Sequence, residues 1–196
     1  MPELTTITLT AADFTVDGTV SLYSGSVDFE AGVDCDLVVD GDLGTVRFAG
    51  SVRVSGSIDA LPGTRIKAGG RIEAGTRIKA SESIEAGGGI KAGGGIEAGE
   101  SIKAGTYIEA GWGIEAGGRI EAGESIEAGW SILGGLAVTC QTTLAVGCRI
   151  VAGAATWKAV LAPEDTRITC GRLESGTVAH GELHETGLTT SEDEEN

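Results

Sequence analysis

Ile66-Lys67-Ala68-Gly69-Gly70-Arg71-Ile72-Glu73-Ala74-Gly75 opens the stretch that decides the fold. From there isoleucine returns at every sixth residue without a miss: Ile66, Ile72, Ile78, Ile84, Ile90, Ile96, Ile102, Ile108, Ile114, Ile120, Ile126 and Ile132. Lys or Glu follows each one (Leu133 follows the last), then almost always Ala, then Gly. A period of six fits neither the 3.6-residue helix nor the two-residue alternation of a long strand. It fits a β-solenoid, in which a short strand and a corner repeat coil after coil. Strand alternation points Ile and Ala inward and Lys or Glu outward. The Gly that closes each unit, with Ser81 as the one exception, is expected to supply unusual backbone angles at the corner.

The outward charges set the size of the coil. With three hexads per turn, vertical neighbours lie eighteen residues apart. One column then reads Lys67, Glu85, Lys103, Glu121, the next Glu73, Lys91, Glu109, Glu127, and the third Lys79, Glu97, Glu115, Leu133. Opposite charges mostly meet on adjacent rungs about 4.8 Å apart, each pair contributing about 0.2–1 kcal/mol. Two or four hexads per turn would stack like charges, such as Lys67 on Lys79. The expected fold is therefore all-β: a single-stranded β-helix of triangular section with eighteen residues per turn, its hand left open. At that turn length 196 residues make roughly ten rungs, a rod on the order of 50 Å long.

Around this array (66–132) the chain divides into four further parts. Residues 1–65 read as irregular coils and a cap, in which Val46, Val52 and Ile58 keep the six-residue spacing and Leu61-Pro62-Gly63 inserts two residues at a corner. Residues 133–172 read as looser coils, with Val138, Leu144, Ile150 and, one full turn later, Ile168 in register. Residues 173–190 shift to a spacing of five (Leu173, Val178, Leu183, Leu188) and read as a different terminal coil or cap. Residues 191–196 are an acidic tail.

The net charge is -15 and aromatic residues make up 4% of the chain. Direct contact with nucleic acid or an anionic membrane is not expected. A protein partner with a basic surface is. No run approaches the ~20 apolar residues of a membrane helix. The start, Met1-Pro2-Glu3-Leu4, has neither the basic region nor the apolar run of a secretory leader. Together with cysteines that show no metal spacing, this gives a cytoplasmic expectation. Cys140 and Cys170 fall in the inward slot otherwise filled by Ala.

Two surface features break the repeat. Asp28, Asp34, Asp36, Asp40 and Asp42 form an acidic cluster in residues 1–65, where ten acidic side chains stand against three basic ones. This is a solvated face or a binding face for a basic partner; it lacks the spacing of a calcium loop. Trp112 and Trp130 occupy one corner slot on successive turns, and Leu133 and Val151 replace charge in the neighbouring outward column. Together they predict an exposed apolar strip for a partner or a second copy, with a side-by-side homodimer as the expected assembly. Tyr107 and Trp157 fall elsewhere and read as isolated.

No catalytic constellation, cofactor or metal site is expected. His180 and His184, the two histidines, could bind metal at their i, i+4 spacing only in a helix. Acyltransferases and carbonic anhydrases of the left-handed β-helix class are also hexad solenoids. There a small residue precedes the aliphatic one by two; here Ala follows it by two. The triangular, Val/Ile-plus-Gly coil over residues 27–170 resembles the bactofilins, by periodicity alone; the near-perfect Ile-x-Ala-Gly array and the strong acidity depart from them. That resemblance implies a non-catalytic, polymer-forming cytoskeletal protein.

Three functions compete. The first is a non-catalytic acidic rod that occludes the basic groove of a nucleic-acid-binding machine, as DNA-mimicking pentapeptide-repeat solenoids and phage-encoded inhibitors of host defence do. The second is a self-assembling, bactofilin-like scaffold. The third is an acyltransferase-like enzyme relying on His180 and His184. Ice binding fits poorly, because the outward ladders carry Lys and Glu and lack Thr rows.

Overall fold

A computed structural model of the protein describes residues 5–17, 20–23, 27–28 and 35–187. The chain is an all-β parallel solenoid with about eighteen residues per turn. Ile72 lies opposite Ile90, Ile78 opposite Ile96 and Ile84 opposite Ile102, each pair in parallel register. The first face stacks Ile66, Ile84, Ile102, Ile120 and Val138. The second stacks Ile72, Ile90, Ile108, Ile126 and Leu144. The third stacks Ile78, Ile96, Ile114, Ile132 and Ile150. The array isoleucines are at most 1% exposed and belong to one core running from Leu9 to Cys170.

The outward ladders pair as the charge pattern requires. Lys67 meets Glu85 at 2.7 Å, Lys79 meets Glu97 at 2.8 Å, Lys91 meets Glu109 at 2.6 Å and Lys103 meets Glu121 at 3.2 Å. Exposed pairs of this kind each contribute only about 0–1 kcal/mol. They favour this register, because a shift by one hexad would stack like charges.

The corner glycines have a different cause from the expected one. Among the described residues, positive φ occurs only at Gly41, Gly44, Gly63, Gly153, Gly176, Gly181 and Gly187, all outside the perfect array. What excludes a side chain in the array is the rung below. A Cβ on Gly105 would lie 2.0 Å from the Gly87 carbonyl oxygen, and one on Gly123 would lie 2.1 Å from that of Gly105. The same close approach lets each Gly N–H donate to the rung beneath, as Gly105 does to the Ala86 carbonyl at 3.0 Å. Ser81 is tolerated because it sits over the Leu61-Pro62-Gly63 insertion, where Val46 pairs with Ile66 and the offset grows to twenty. Its hydroxyl donates to the Leu61 carbonyl at 3.0 Å and accepts from the Thr64 N–H at 3.3 Å.

One turn near each end is longer, thirty residues from Thr5 to Cys35 and from Val138 to Ile168, so the rod has about eight turns and not ten. At the N-terminal end Thr5–Leu9 pairs with Cys35–Val39, thirty residues on. Thr15–Asp17 and Val20–Tyr23 form an antiparallel hairpin, and the second of these strands stacks on Gly44–Phe48. Phe14 meets Phe48 edge to face at 6.2 Å.

Towards the C-terminal end, Ile168 stacks on Val138 and not on Ile150. Residues 153–166 are therefore an excursion outside the coil instead of a rung. The final turn is shorter. Leu173 stacks on Leu144, Val178 on Ile150 and Leu183 on Ile168, so fifteen residues separate Ile168 from Leu183. These three side chains are only half-buried, because no described rung covers them. Leu188 and the 191–196 tail lie outside the described residues.

Asp165 closes the excursion on itself and meets Arg119 of the coil at 3.8 Å. Its carboxylate is almost fully buried and accepts from the Lys158 ammonium and, at 2.9 Å, from the Ala162 N–H. The Lys158 hydrogen bond, then the Ala162 N–H, hold its pKa below the ordinary 3.8. A lowered carboxylate pKa contributes stability that is fully present above the ordinary value and is lost as pH falls through the lower, folded value. The excursion is expected to stay docked at neutral and mildly acidic pH and to release below about pH 3.8. Trp157 fluorescence in a Trp112→Phe/Trp130→Phe background reads this directly. Asp165→Asn, whose amide does not titrate, should abolish the transition and leave the excursion released already at neutral pH; an unchanged profile would remove Asp165 as the anchor.

Candidate interaction site

The third face brings the strip residues together. Trp112 and Trp130 project from one corner on adjacent rungs, joined by a 2.7 Å hydrogen bond from the Trp130 N–H to the Trp112 carbonyl. Their side chains are open to solvent, at 72% and 63% exposure. Leu133 and Val151 are register partners in the outward column of that face, and both are half-buried. The exposed part of the strip is thus the tryptophan pair, with the aliphatic pair forming a wall behind it.

Between corner and column runs a groove of about 460 Å³. Trp112 stands on one side and Glu97, Glu115, Leu133 and Val151 on the other, with Arg77 and Arg149 also lining it. Glycine makes the groove. Gly94, Gly95 and Gly113 form its floor, and a Cβ on Gly95 would meet only the Gly113 oxygen, at 3.4 Å.

The charges around the groove are unevenly satisfied. Arg77 is held by both Asp59 oxygens, at 2.9 and 3.2 Å, and Glu97 by Lys79. Glu115 stacks between Glu97 and Leu133, and Glu127 between Glu109 and Ala145, so neither meets a cation on a neighbouring rung. Among the described residues Glu115, Glu127 and Arg149 form no ion pair. Trp130 follows the second-face strand Ile126–Ala128, so the tryptophan corner has an unpaired carboxylate on each side.

The acidic cluster is less uniform than the sequence implies. Asp28 pairs through its backbone with Arg53, its side chain lying outside the described residues, as does Asp34 altogether. Asp36 is committed to the fold: its carboxylate accepts the Ser57 N–H at 2.6 Å. Asp40 and Asp42 are exposed and flank Gly41 at a corner.

The two histidines are separated. His180 pairs opposite Val151 on the third face and His184 opposite Thr169 on the first, so their four-residue spacing brings no common site. Among the described residues no three His, Cys, Asp or Glu side chains group as metal ligands. Cys140 and Cys170 are buried neighbours in the inward slot. Burial, then the adjacent Cys170, push the Cys140 thiol up to about 12. It is a core side chain and a poor nucleophile.

Tyr107 and Trp157 are not isolated. The Tyr107 ring covers Gly89, with the Arg71 guanidinium 5.9 Å from its centroid. Trp157, on the excursion, donates from Nε1 to the Gly117 carbonyl at 3.2 Å and shares a small pocket with Leu133. Sequence reasoning missed Arg149 and the glycine floor. The signal was present in the adjacent glycines Gly94 and Gly95 and in the eighteen-residue offset from Ser131 to Arg149.

No family model, curated protein or solved structure matches the chain. Among the described residues no helix is long and apolar enough to cross a membrane.

Proposed function

We propose that the protein is a non-catalytic binding rod for a partner protein with a basic surface. The observation that carries this reading is the accounting of charge on the ladders. All four array lysines are neutralised by a glutamate one rung on, which leaves Glu115 and Glu127 as excess negative charge on a rigid scaffold. The exposed Asp40 and Asp42 add to it. A stiff rod with a field of one sign steers towards basic partners. Occlusion of a nucleic-acid-binding groove, in the manner of a DNA-mimicking inhibitor, is the specific form of this proposal, and a cytoplasmic setting belongs to it.

The test is affinity capture with the tagged full chain, eluted in steps between about 0.1 and 0.5 M salt, a range over which the screening length shortens markedly. Basic nucleic-acid-binding proteins are expected to elute within that range and to lose bound duplex DNA when the rod is added. A quadruple variant, Asp40→Lys, Asp42→Lys, Glu115→Lys and Glu127→Lys, should capture none of them. Equal capture by that variant would reject the reading. Asp36 is left out because its loss would disturb the fold.

A second reading, a bactofilin-like scaffold, is favoured by the half-buried Leu173, Val178 and Leu183 on the last described rung. A polymer grows there if rungs of another copy stack on them. Light scattering across protein concentration separates the two readings: open-ended growth supports the scaffold, and a fixed mass the binding rod.

A further inference from the structure

We propose that the tryptophan corner and its groove form a site for a cationic side chain, arginine or lysine, presented on an extended segment of the partner. The inference rests on the binding-rod reading and gives it an address. Trp112 and Trp130 contribute little to folding at their exposure, yet they stand on successive rungs as a two-ring ridge. An indole face attracts a cation through its quadrupole, and Trp is the strongest of the aromatic side chains in this respect. Unpaired carboxylates flank the ridge, Glu115 on the third face and Glu127 on the second, placed to complete the charge of a guanidinium lying over an indole. The groove crosses the rungs of Gly95, Gly113, Ser131 and Arg149, about 14 Å of rod at about 4.8 Å per rung. That length matches four or five residues of extended chain.

The two arginines give the groove a direction. Arg77 is neutralised by Asp59, whereas Arg149 has no anionic partner among the described residues and pairs with Ser131 at the far end. A bound cation therefore lies towards Trp112 and Glu115, with backbone carbonyls of the bound segment towards Arg149. Charge also selects against a second copy as the occupant. A chain of net charge -15 would bring its own carboxylates against Glu115 and Glu127.

Isothermal titration of the full chain tests the proposal. The probe is a capped five-residue peptide of glycine and two arginines, and the control is the same peptide with citrulline in place of arginine. The arginine peptide is expected to bind and the citrulline peptide to show no heat of binding. Trp112→Ala and Trp130→Ala should each weaken binding about five- to ten-fold. Glu115→Gln and Glu127→Gln should each weaken it about three-fold, and Arg149→Gln should tighten it about two-fold. Equal binding of the citrulline peptide would show an apolar groove indifferent to charge and overturn the proposal. Arginine binding that both tryptophan variants retain would also overturn it, while leaving the acidic rod intact as a long-range attractor. Partner capture by an Asp40→Lys/Asp42→Lys rod, which keeps Glu115 and Glu127 and so leaves the site intact, tests that broader reading separately: weakened capture supports it and unchanged capture counts against it. A wild-type dimer that Trp130→Glu converts to a monomer would assign the ridge to a second copy and sink the cation site.

Discussion

Gly105→Ala is expected to destabilise the rod by about 3 kcal/mol in equilibrium urea unfolding, at the upper end of ordinary overpacking. Gly95→Ala should leave it unchanged or stabilise it by about 0.5 kcal/mol through the less flexible unfolded chain. Both glycines lie in the array and neither has positive φ. They differ in what an added methyl would meet. At Gly105 it would fall 2.0 Å from the Gly87 oxygen and 2.9 Å from its carbonyl carbon, both backbone atoms of the rung below. Those atoms cannot move aside without breaking the hydrogen bond from the Gly105 N–H to the Ala86 carbonyl. At Gly95 the methyl would enter open groove, 3.4 Å from the Gly113 oxygen. Equal effects at the two sites would mean that the corner glycines are needed for backbone freedom, and that the rung contact is incidental.

Ile102→Ala is expected to destabilise the rod by about 3–4 kcal/mol and Ile102→Val by about 1 kcal/mol. Ile102 is fully buried between Ile84 and Ile120, in a core one side chain thick on each face. The stacked strands hold neighbouring rungs at fixed spacing, so the cavity cannot collapse, and the loss includes a void as well as lost transfer energy. Leu183→Ala on the last rung should cost about 1 kcal/mol at most, because its side chain is half-buried and covered from one side only. Thermal and urea unfolding of the three variants checks the order. A Leu183 effect as large as that of Ile102 would show that the last rung is covered in solution; with open-ended growth in light scattering that supports the scaffold reading, and with a fixed mass it counts against it.

Much of the architecture was legible because the repeat is strict. When the period never slips, a residue's vertical neighbour is fixed by arithmetic. Opposite charges eighteen apart then identify the turn, as Lys79 and Glu97 show. Trp112 and Trp130 were placed on adjacent rungs by the same reasoning, and the backbone bond between them confirms it. The reasoning failed where the period breaks. Ile168 keeps the six-residue phase with Ile150, yet it stacks on Val138, because residues 153–166 leave the coil and are tied to its outside by Asp165 on Arg119 and by Trp157 on the Gly117 carbonyl. Spacing alone cannot separate a loose rung from a loop of similar length, since both return the chain to the same phase.

The sequence by itself determined the turn length, the inward and outward assignment of each array position and the excess of negative charge. All three follow from periodicity and composition, which are local or additive properties. Only the tertiary structure decided why the corners must be glycine, since the obstacle is a carbonyl oxygen eighteen residues away and not the local backbone angle. It also decided which acids are free. Asp36 is held by the Ser57 N–H, Glu97 by Lys79, and Glu115 by no cation beside a groove that Trp112 walls. Whether a charge is satisfied depends on its neighbours in three dimensions, and where the coil is irregular those neighbours are set by how the rungs close.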